Sequence, residues 1–231
     1  MVKPTVLLFD IDGTLVTTGG AGRRALERVF DLLYQRDDAC RHFKFDGMTD
    51  RAIVRGGLRG IGRPDTEAEI DFVLRSYVPV LEEEVHRVDD DRYRLHRGML
   101  EILDAASALP DVAIGLGTGN IREGARVKLQ RVGIYERFSF GGFGCDHEGR
   151  TELIRIGACR GAERLGVPLE KCRVVVIGDT PKDVAAAAAI GAEAVGVGTG
   201  NFRPDTLVAC GARCAFDDLS DPAAIPAVLG A

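Results

Sequence analysis

The 231-residue chain has no apolar run approaching the roughly 20 residues that a bilayer-spanning helix needs. A membrane span is therefore not expected. It also lacks a surplus of positive charge, with 30 Lys and Arg against 35 Asp and Glu and a net charge of −5. A mildly acidic surface has little attraction for nucleic acid or an anionic membrane, and neither is expected as a partner. The six cysteines show no zinc-ligand grouping, because the Cys210–Cys214 pair has no second Cys or His pair near it. They are expected to be buried or half-buried thiols acting as small hydrophobes. His42, His86, His96 and His147 have no ligand spacing, and none is assigned to catalysis. Internal repeats are absent, and the only low-complexity tract is Ala185–Ala189, a strong helix former. The first residues, MVKPTVLLFD, have no signal-peptide architecture, so a cytoplasmic location is expected.

What is present is an ordinary globular composition, 45% hydrophobic and 28% charged, which argues against a disordered chain. Short β-branched runs alternate with helical patterns, the signature of a parallel α/β sheet. Residues 5–9, 112–116 and 174–177 read as buried central strands, and 138–141, 193–197 and 213–216 as weaker ones. Helices are expected over 98–109, 121–132, 153–165 and 183–190. Asn120 with Glu123, and Thr180 with Asp183, have capping-box spacing, and Gly133 and Gly191 mark helix ends. The first strand ends near Asp10, yet the next convincing one begins only near Val112, far more chain than a crossover requires. The excess reads as helix over 22–34, 51–59 and 67–85. Residues 16–94 are therefore expected to form a helical insertion between residues 1–15 and 95–231.

Three strand ends carry chemistry. In Phe9-Asp10-Ile11-Asp12-Gly13-Thr14, two acids close a buried strand, and residues two apart in extended chain point the same way. Asp179 follows a second buried strand in the same manner, and Asp183, at the third helical position, either caps its helix or joins the site. Carboxylates gathered at one sheet edge repel unless a hard cation lies among them, and an oxygen-only donor set favours Mg²⁺ over zinc. Gly115-Leu116-Gly117-Thr118-Gly119-Asn120 is a glycine-rich strand–helix turn suited to an anion.

With DIDGT at 10–14, a hydroxyl residue at the second strand end and GDTPKD at 178–183, the chain resembles the haloacid dehalogenase-like hydrolase superfamily. Residues 96–120 (HRGMLEILDAASALPDVAIGLGTGN) and 45–55 (FDGMTDRAIVR) resemble its phosphoglycolate phosphatase-like branch. The resemblance implies a Rossmann-like three-layer core with a central parallel sheet, and a helical cap between the first and second motifs. It implies Asp10 as nucleophile, Asp12 as acid and base, and Thr118 and Gly119 as phosphoryl-binding residues. Mg²⁺ is implied at the Asp10 carboxylate, the Asp12 carbonyl and Asp179, with Asp183 close by. The family's third-motif Lys is missing. Arg150 is the leading substitute, with Lys128 and Arg155 as alternatives. Arg51, Arg55, Arg59 and Arg63 recur every four residues, so at least the first three can share a helix face, either as a solvated stripe or, for Arg51 or Arg55, as an attractor of an anionic leaving group.

The expected activity is Mg²⁺-dependent hydrolysis of a small phosphorylated metabolite. The alternatives are a phosphomutase of the same superfamily and a non-hydrolytic phospho-Asp switch or binding module. Dehalogenation is disfavoured because Asp12 serves to protonate an alkoxide, which a halide does not need. Oligomeric state is not legible in the pattern.

Overall fold

The computed structural model describes residues 3–230. Its core is a six-stranded parallel sheet with β1 (Thr5–Phe9) at the centre. On one side of β1 lie β4 (Val112–Gly117) and β5 (Phe140–Gly142). On the other lie β6 (Arg173–Gly178), β7 (Glu193–Val197) and β8 (Cys214–Phe216), giving the order β5-β4-β1-β6-β7-β8. In β1 every residue is buried, and alternate side chains serve opposite faces. Leu7 and Phe9 join Ile114, Leu116, Val175 and Ile177 in one apolar layer. Val6 and Leu8 join Val176, Leu153 and Ile154 in the other. A parallel sheet covered on both faces needs continuous rather than alternating apolar strands, which is why TVLLF and VVVI have the patterns they do.

Helix α4 (Met99–Ser107) and α5 (Arg122–Arg131) cover the first face. Helices α6 (Arg150–Leu165), α7 (Pro181–Ala189) and the short α8 (Pro204–Ala209) cover the second. Within α7, Thr180 and Asp183 form the expected reciprocal cap, with Pro181 in the first turn. Gly133 and Gly191 take the left-handed conformation just past α5 and α7. The Asn120–Glu123 box does not form. Helix α5 starts at Arg122 with Ile121 as an uncapped N-cap, because the Asn120 amide is engaged elsewhere. Helix α6 starts at Arg150, three residues before the expected boundary, so this arginine occupies the first helical turn rather than a loop.

Between β1 and β4 the chain forms α1 (Ala21–Tyr34), α2 (Asp50–Gly60) and α3 (Glu67–Arg87). Their amphipathic faces close a separate apolar core around Leu26, Phe30, Val54, Leu58, Ile70 and Leu81. Ile121 and Val127, at and within α5, join that core and seat the helical unit on the sheet domain. Two short strands that the sequence pattern did not reveal, β2 (Val16–Thr18) and β3 (Tyr93–Leu95), pair antiparallel where the chain leaves and re-enters the core.

The cysteine expectation is corrected. Cys40 and Cys172 are buried and Cys214 half-buried, but Cys145, Cys159 and Cys210 are exposed. In α6 the helix stripe of Leu153, Ile154, Ala158 and Ala162 already fills the interface, which leaves Cys159 on the solvent side. No helix of the described residues is long and apolar enough to cross a membrane.

Candidate active site

The carboxyl ends of β1, β4 and β6 adjoin, since β1 pairs with both neighbours in register, and this edge is where open α/β sheets gather ligands. Asp10 and Asp179 follow β1 and β6 directly. Together with Asp183 in the first turn of α7 they form a buried cluster whose nearest ligand oxygens all lie within 4.8 Å of one another. Gly13 adopts φ +80°, a conformation costly for other residues, and a Cβ there would collide with the Asp179 carboxylate. A Cβ on Gly200, in the loop after β7, would overlap the same group. Two glycines thus make room for Asp179, and the Thr14 hydroxyl donates to its Oδ1 at 3.0 Å.

Arg150 reaches this cluster from the start of α6. Its guanidinium lies 2.8 Å from Asp10 Oδ2 and donates through Nε to Asp183 Oδ1 at 2.8 Å, with a second bond from Nη2 to the same oxygen. The other Asp183 oxygen accepts from the Thr180 amide and hydroxyl, so both its oxygens are committed. Of the alternatives to Arg150, Arg155 is half-exposed and pairs with Glu152, away from the cluster. Lys128 does something else. It is 3% exposed, and its Nζ lies 2.6 Å from both Asp12 Oδ2 and Asn120 Oδ1. Asn120 Nδ2 donates to the same Asp12 oxygen at 2.8 Å, and the Thr18 hydroxyl approaches Asp12 Oδ1 at 3.4 Å. Lys128 is therefore a clamp on Asp12 rather than a partner of Asp10.

The electrostatics divide the acids. Burial pushes the Asp10 carboxyl up to about 6; Arg150 opposes that rise and Asp183 adds to it. Burial, reinforced by the charges of Asp10 and Asp183, pushes Asp179 up to about 8. Burial would raise Asp12 too, but the charge and hydrogen bond of Lys128, with Asn120 and Thr18, hold it below the usual carboxylate range. Asp12 is also the acid that faces open space, its side chain 43% exposed against 8% for Asp10.

That space is a cavity of about 970 Å³ between the sheet edge and the helical unit. Asp10, Asp12, Gly119, Lys128, Arg150 and Asp179 line its floor, and residues of α1, α2, α3 and the 44–48 loop form its roof. Thr118 does not line it. It is fully buried and its Oγ1 accepts from the Asn120 amide and Nδ2, so it orients Asn120 from behind. Of the four histidines, none lines the cavity.

The start of α2 is bolted to the core. The Asp50 amide donates to Gly119 O and its Oδ2 accepts from the Ile121 amide, both at 2.8 Å, while the Thr49 hydroxyl donates to Glu148 O at 3.0 Å. Asp50 is itself buried, and burial, with Lys128 opposing, pushes it up to about 6. The arginine stripe of α2 is not available to a leaving group. Arg51 pairs with Glu67 and Asp71, Arg55 with Glu148 and Glu67, and Arg59 with Asp65. Arg63 lies beyond the helix, over the Tyr34 ring. Sequence reasoning named Lys128 only as a substitute for the third-motif Lys, Asn120 only as a helix cap within the glycine-rich turn, and Asp50 only within the 45–55 segment; it did not place any of them, or Gly200, beside the strand-end acids. Only Asp50 had a local signal, its place in the DGMTD loop.

Among solved structures the fold is shared by a hydrolase from Pseudomonas syringae (19% identity, covering 95% of both chains, TM-score 0.68). CbbY from Rhodobacter sphaeroides in complex with phosphate matches at 17% identity over 95% of this chain and 96% of that one, TM-score 0.69. A β-phosphoglucomutase from Clostridium difficile matches at 16% identity over 96% and 93%, TM-score 0.68. No curated protein matches the chain. The family model for haloacid dehalogenase-like hydrolases matches residues 4–191, which include the ends of β1, β4 and β6. By that match over most of its length, the chain belongs to the haloacid dehalogenase-like hydrolase family.

Proposed function

We propose that the protein is a Mg²⁺-dependent phosphatase that hydrolyses a small phosphorylated metabolite through an aspartyl-phosphate on Asp10. The reading is carried by the convergence of Asp10, Asp179 and Asp183 on one point beneath a cavity of metabolite size. Three buried carboxylates beside the single guanidinium of Arg150 crowd negative charge, and burial with that charge raises the proton affinity of Asp10 and Asp179. An oxygen-only set of this kind suits a hard divalent cation. Asp10 and Asp179 are the side chains to hold it, with the Asp12 carbonyl. Asp183, with both oxygens engaged, holds Arg150 and the start of α7 in place. When bound, the ion offsets the repulsion between an anionic nucleophile and an anionic phosphate.

In this scheme Asp10 attacks phosphorus, while Arg150, held to Asp183 and Asp10 through Nε and Nη2, steadies the nucleophile and turns Nη1 to a phosphoryl oxygen. Gly119, without a side chain, lets the backbone approach the same group. Asp12 faces the leaving group; resting ionised beside Lys128, it takes a proton from cavity water, passes it to the departing oxygen, and then takes one from the water that hydrolyses the intermediate. Residues 16–94 act as the cap that encloses the substrate. The roofed cavity favours a small-molecule substrate over a phospho-Asp switch, which needs no roof. That CbbY, which shares this fold, was solved in complex with phosphate supports a phosphoryl ligand.

The test is a panel of phosphate monoesters with Mg²⁺, scored by release of inorganic phosphate. Wild type is expected to turn over at least one, and Asp10→Asn none. Turnover of none by wild type, or activity surviving in Asp10→Asn, overturns the reading, and an isomeric sugar phosphate as sole product replaces it with a mutase.

A further inference from the structure

Helix α1 begins in glycine. The segment Thr18-Gly19-Gly20-Ala21-Gly22-Arg23 leads into it, the N-cap Gly20 has no side chain to offer, and the first turn holds no acid. The amides of Ala21, Gly22 and Arg23 precede the first i−4 bond, from Arg24 N to Gly20 O, and so have no helical acceptor. Gly19, Gly20, Gly22 and Arg23 all line the cavity. An uncapped helix start opening into a cavity favours an anion, but alone it is weak evidence.

The second observation is independent of it. Tyr77 on α3 is 1% exposed, yet among the described residues its hydroxyl makes no hydrogen bond, and the side chain lines the same cavity. No buried side-chain polar atom of the described residues lacks a partner, so the unbonded Tyr77 hydroxyl opens into the cavity, free to donate to a ligand or water there. Its hydroxyl lies 3.5 Å, and Lys128 Nζ 3.3 Å, from the position a Cβ on Gly22 would take, so both polar groups meet at the helix start. Arg23 adds charge at the rim. It rests over the Phe45 ring at 3.8 Å, donates to the carbonyls of Cys40 and Phe43 at 3.3 and 3.4 Å, and pairs with Glu27 at 3.4 Å. Asp50 and Asp12 both lie close enough to act on the Tyr77 hydroxyl; Asp12 is paired with Lys128, and one Asp50 oxygen accepts from the Ile121 amide.

We propose that the start of α1, with Tyr77, Lys128 and Arg23, is a second anion site that binds a carboxylate or phosphate on the leaving group. The inference rests on the phosphatase reading for its substrate, a phosphoryl ester bearing a second anionic group. Asp12 sets the distance. Thr18 and Lys128 both contact it, so the second anion sits a few bonds from the ester oxygen that Asp12 serves.

The test is calorimetric binding of three phosphonates in Mg²⁺ buffer: 3-phosphonopropionate, propane-1,3-diphosphonate and propylphosphonate, which end in a carboxylate, a phosphonate and a methyl group. Wild type is expected to bind at least one of the first two about tenfold or more tightly than the third, the increment of a charge-assisted contact. The better of the two identifies the anion. Tyr77→Phe, which removes one oxygen, and Gly22→Leu, which fills the gap between Lys128 and Tyr77, should each cut that increment to about threefold or less. Equal binding of all three by wild type, binding of none, or an increment that survives both substitutions overturns the proposal. If the increment is present but no monoester is hydrolysed, the phosphatase reading fails and the anion site stands.

Discussion

Replacing Asp179 with Asn should stabilise the metal-free protein at alkaline pH while disabling it. Burial and the charges of Asp10 and Asp183 lift the Asp179 carboxyl from 3.8 to about 8. Below pH 4 the group is protonated in both folded and unfolded chains and contributes no pH dependence. Between about pH 4 and 8 the unfolded chain has released its proton and the folded one has not, so stability falls as pH rises. At about 1.4 kcal/mol per pKa unit, a rise of roughly four units leaves a penalty of about 4 to 6 kcal/mol once pH exceeds 8. Asp10, raised to about 6, acts in the same direction over a narrower window. Thermal unfolding in EDTA should therefore show wild type losing stability from pH 5 to 8.5. Asp179→Asn should lose markedly less and melt about 10 °C above wild type at pH 8.5. Added Mg²⁺ should reverse the order, stabilising wild type and not the variant. A variant that melts below wild type in EDTA at pH 8.5, or parallel pH profiles, would refute the argument that uncompensated carboxylates strain this site.

Four further outcomes follow from the same geometry. Arg150→Ala should lower kcat by roughly 10²–10³ and cost about 3–5 kcal/mol in denaturant unfolding, because it strips the counter-charge from buried Asp10 and Asp183; Arg155→Ala should leave both unchanged. Lys128→Met removes the group that holds Asp12 below its usual range, so the acid limb of the pH profile of kcat/KM should move to higher pH; an unmoved limb would detach Lys128 from Asp12. Gly200→Ala places a Cβ on the Asp179 carboxylate and should weaken Mg²⁺ activation, read as a raised Mg²⁺ concentration for half-maximal rate. EDTA should abolish phosphate release, and restoring Mg²⁺ should recover it; activity persisting in metal-free buffer would contradict the metal assignment.

The elements legible in the sequence share one property, namely that the cause lies within a few residues. The apolar runs of β1, β4 and β6 follow from burial on both faces, and Glu193–Val197 matches its strand end for end. The Thr180–Asp183 box formed because both partners lie in one turn and Arg150 engages only the other Asp183 oxygen. The Asn120–Glu123 box has the same spacing and did not form, because Lys128 and Asp12 hold the Asn120 amide. Local pattern cannot register that competition. The arginines of α2 failed in the same way. Their spacing put them on one helix, but Glu67 and Asp71 of α3, and Glu148 of the core, arrive from elsewhere and neutralise them.

By itself the sequence determined where the strands end and which acids stand at those ends, since desolvation forces short apolar runs inward and leaves Asp10, Asp12 and Asp179 at the rim. Only the tertiary structure decided how those acids differ. Asp12 meets Lys128 from α5, Asp179 meets Asp10 across two strands, and Arg150 completes the cluster from α6. A carboxylate's affinity for its proton depends on the charges and water around it in space, and residues more than a hundred positions apart supply them here.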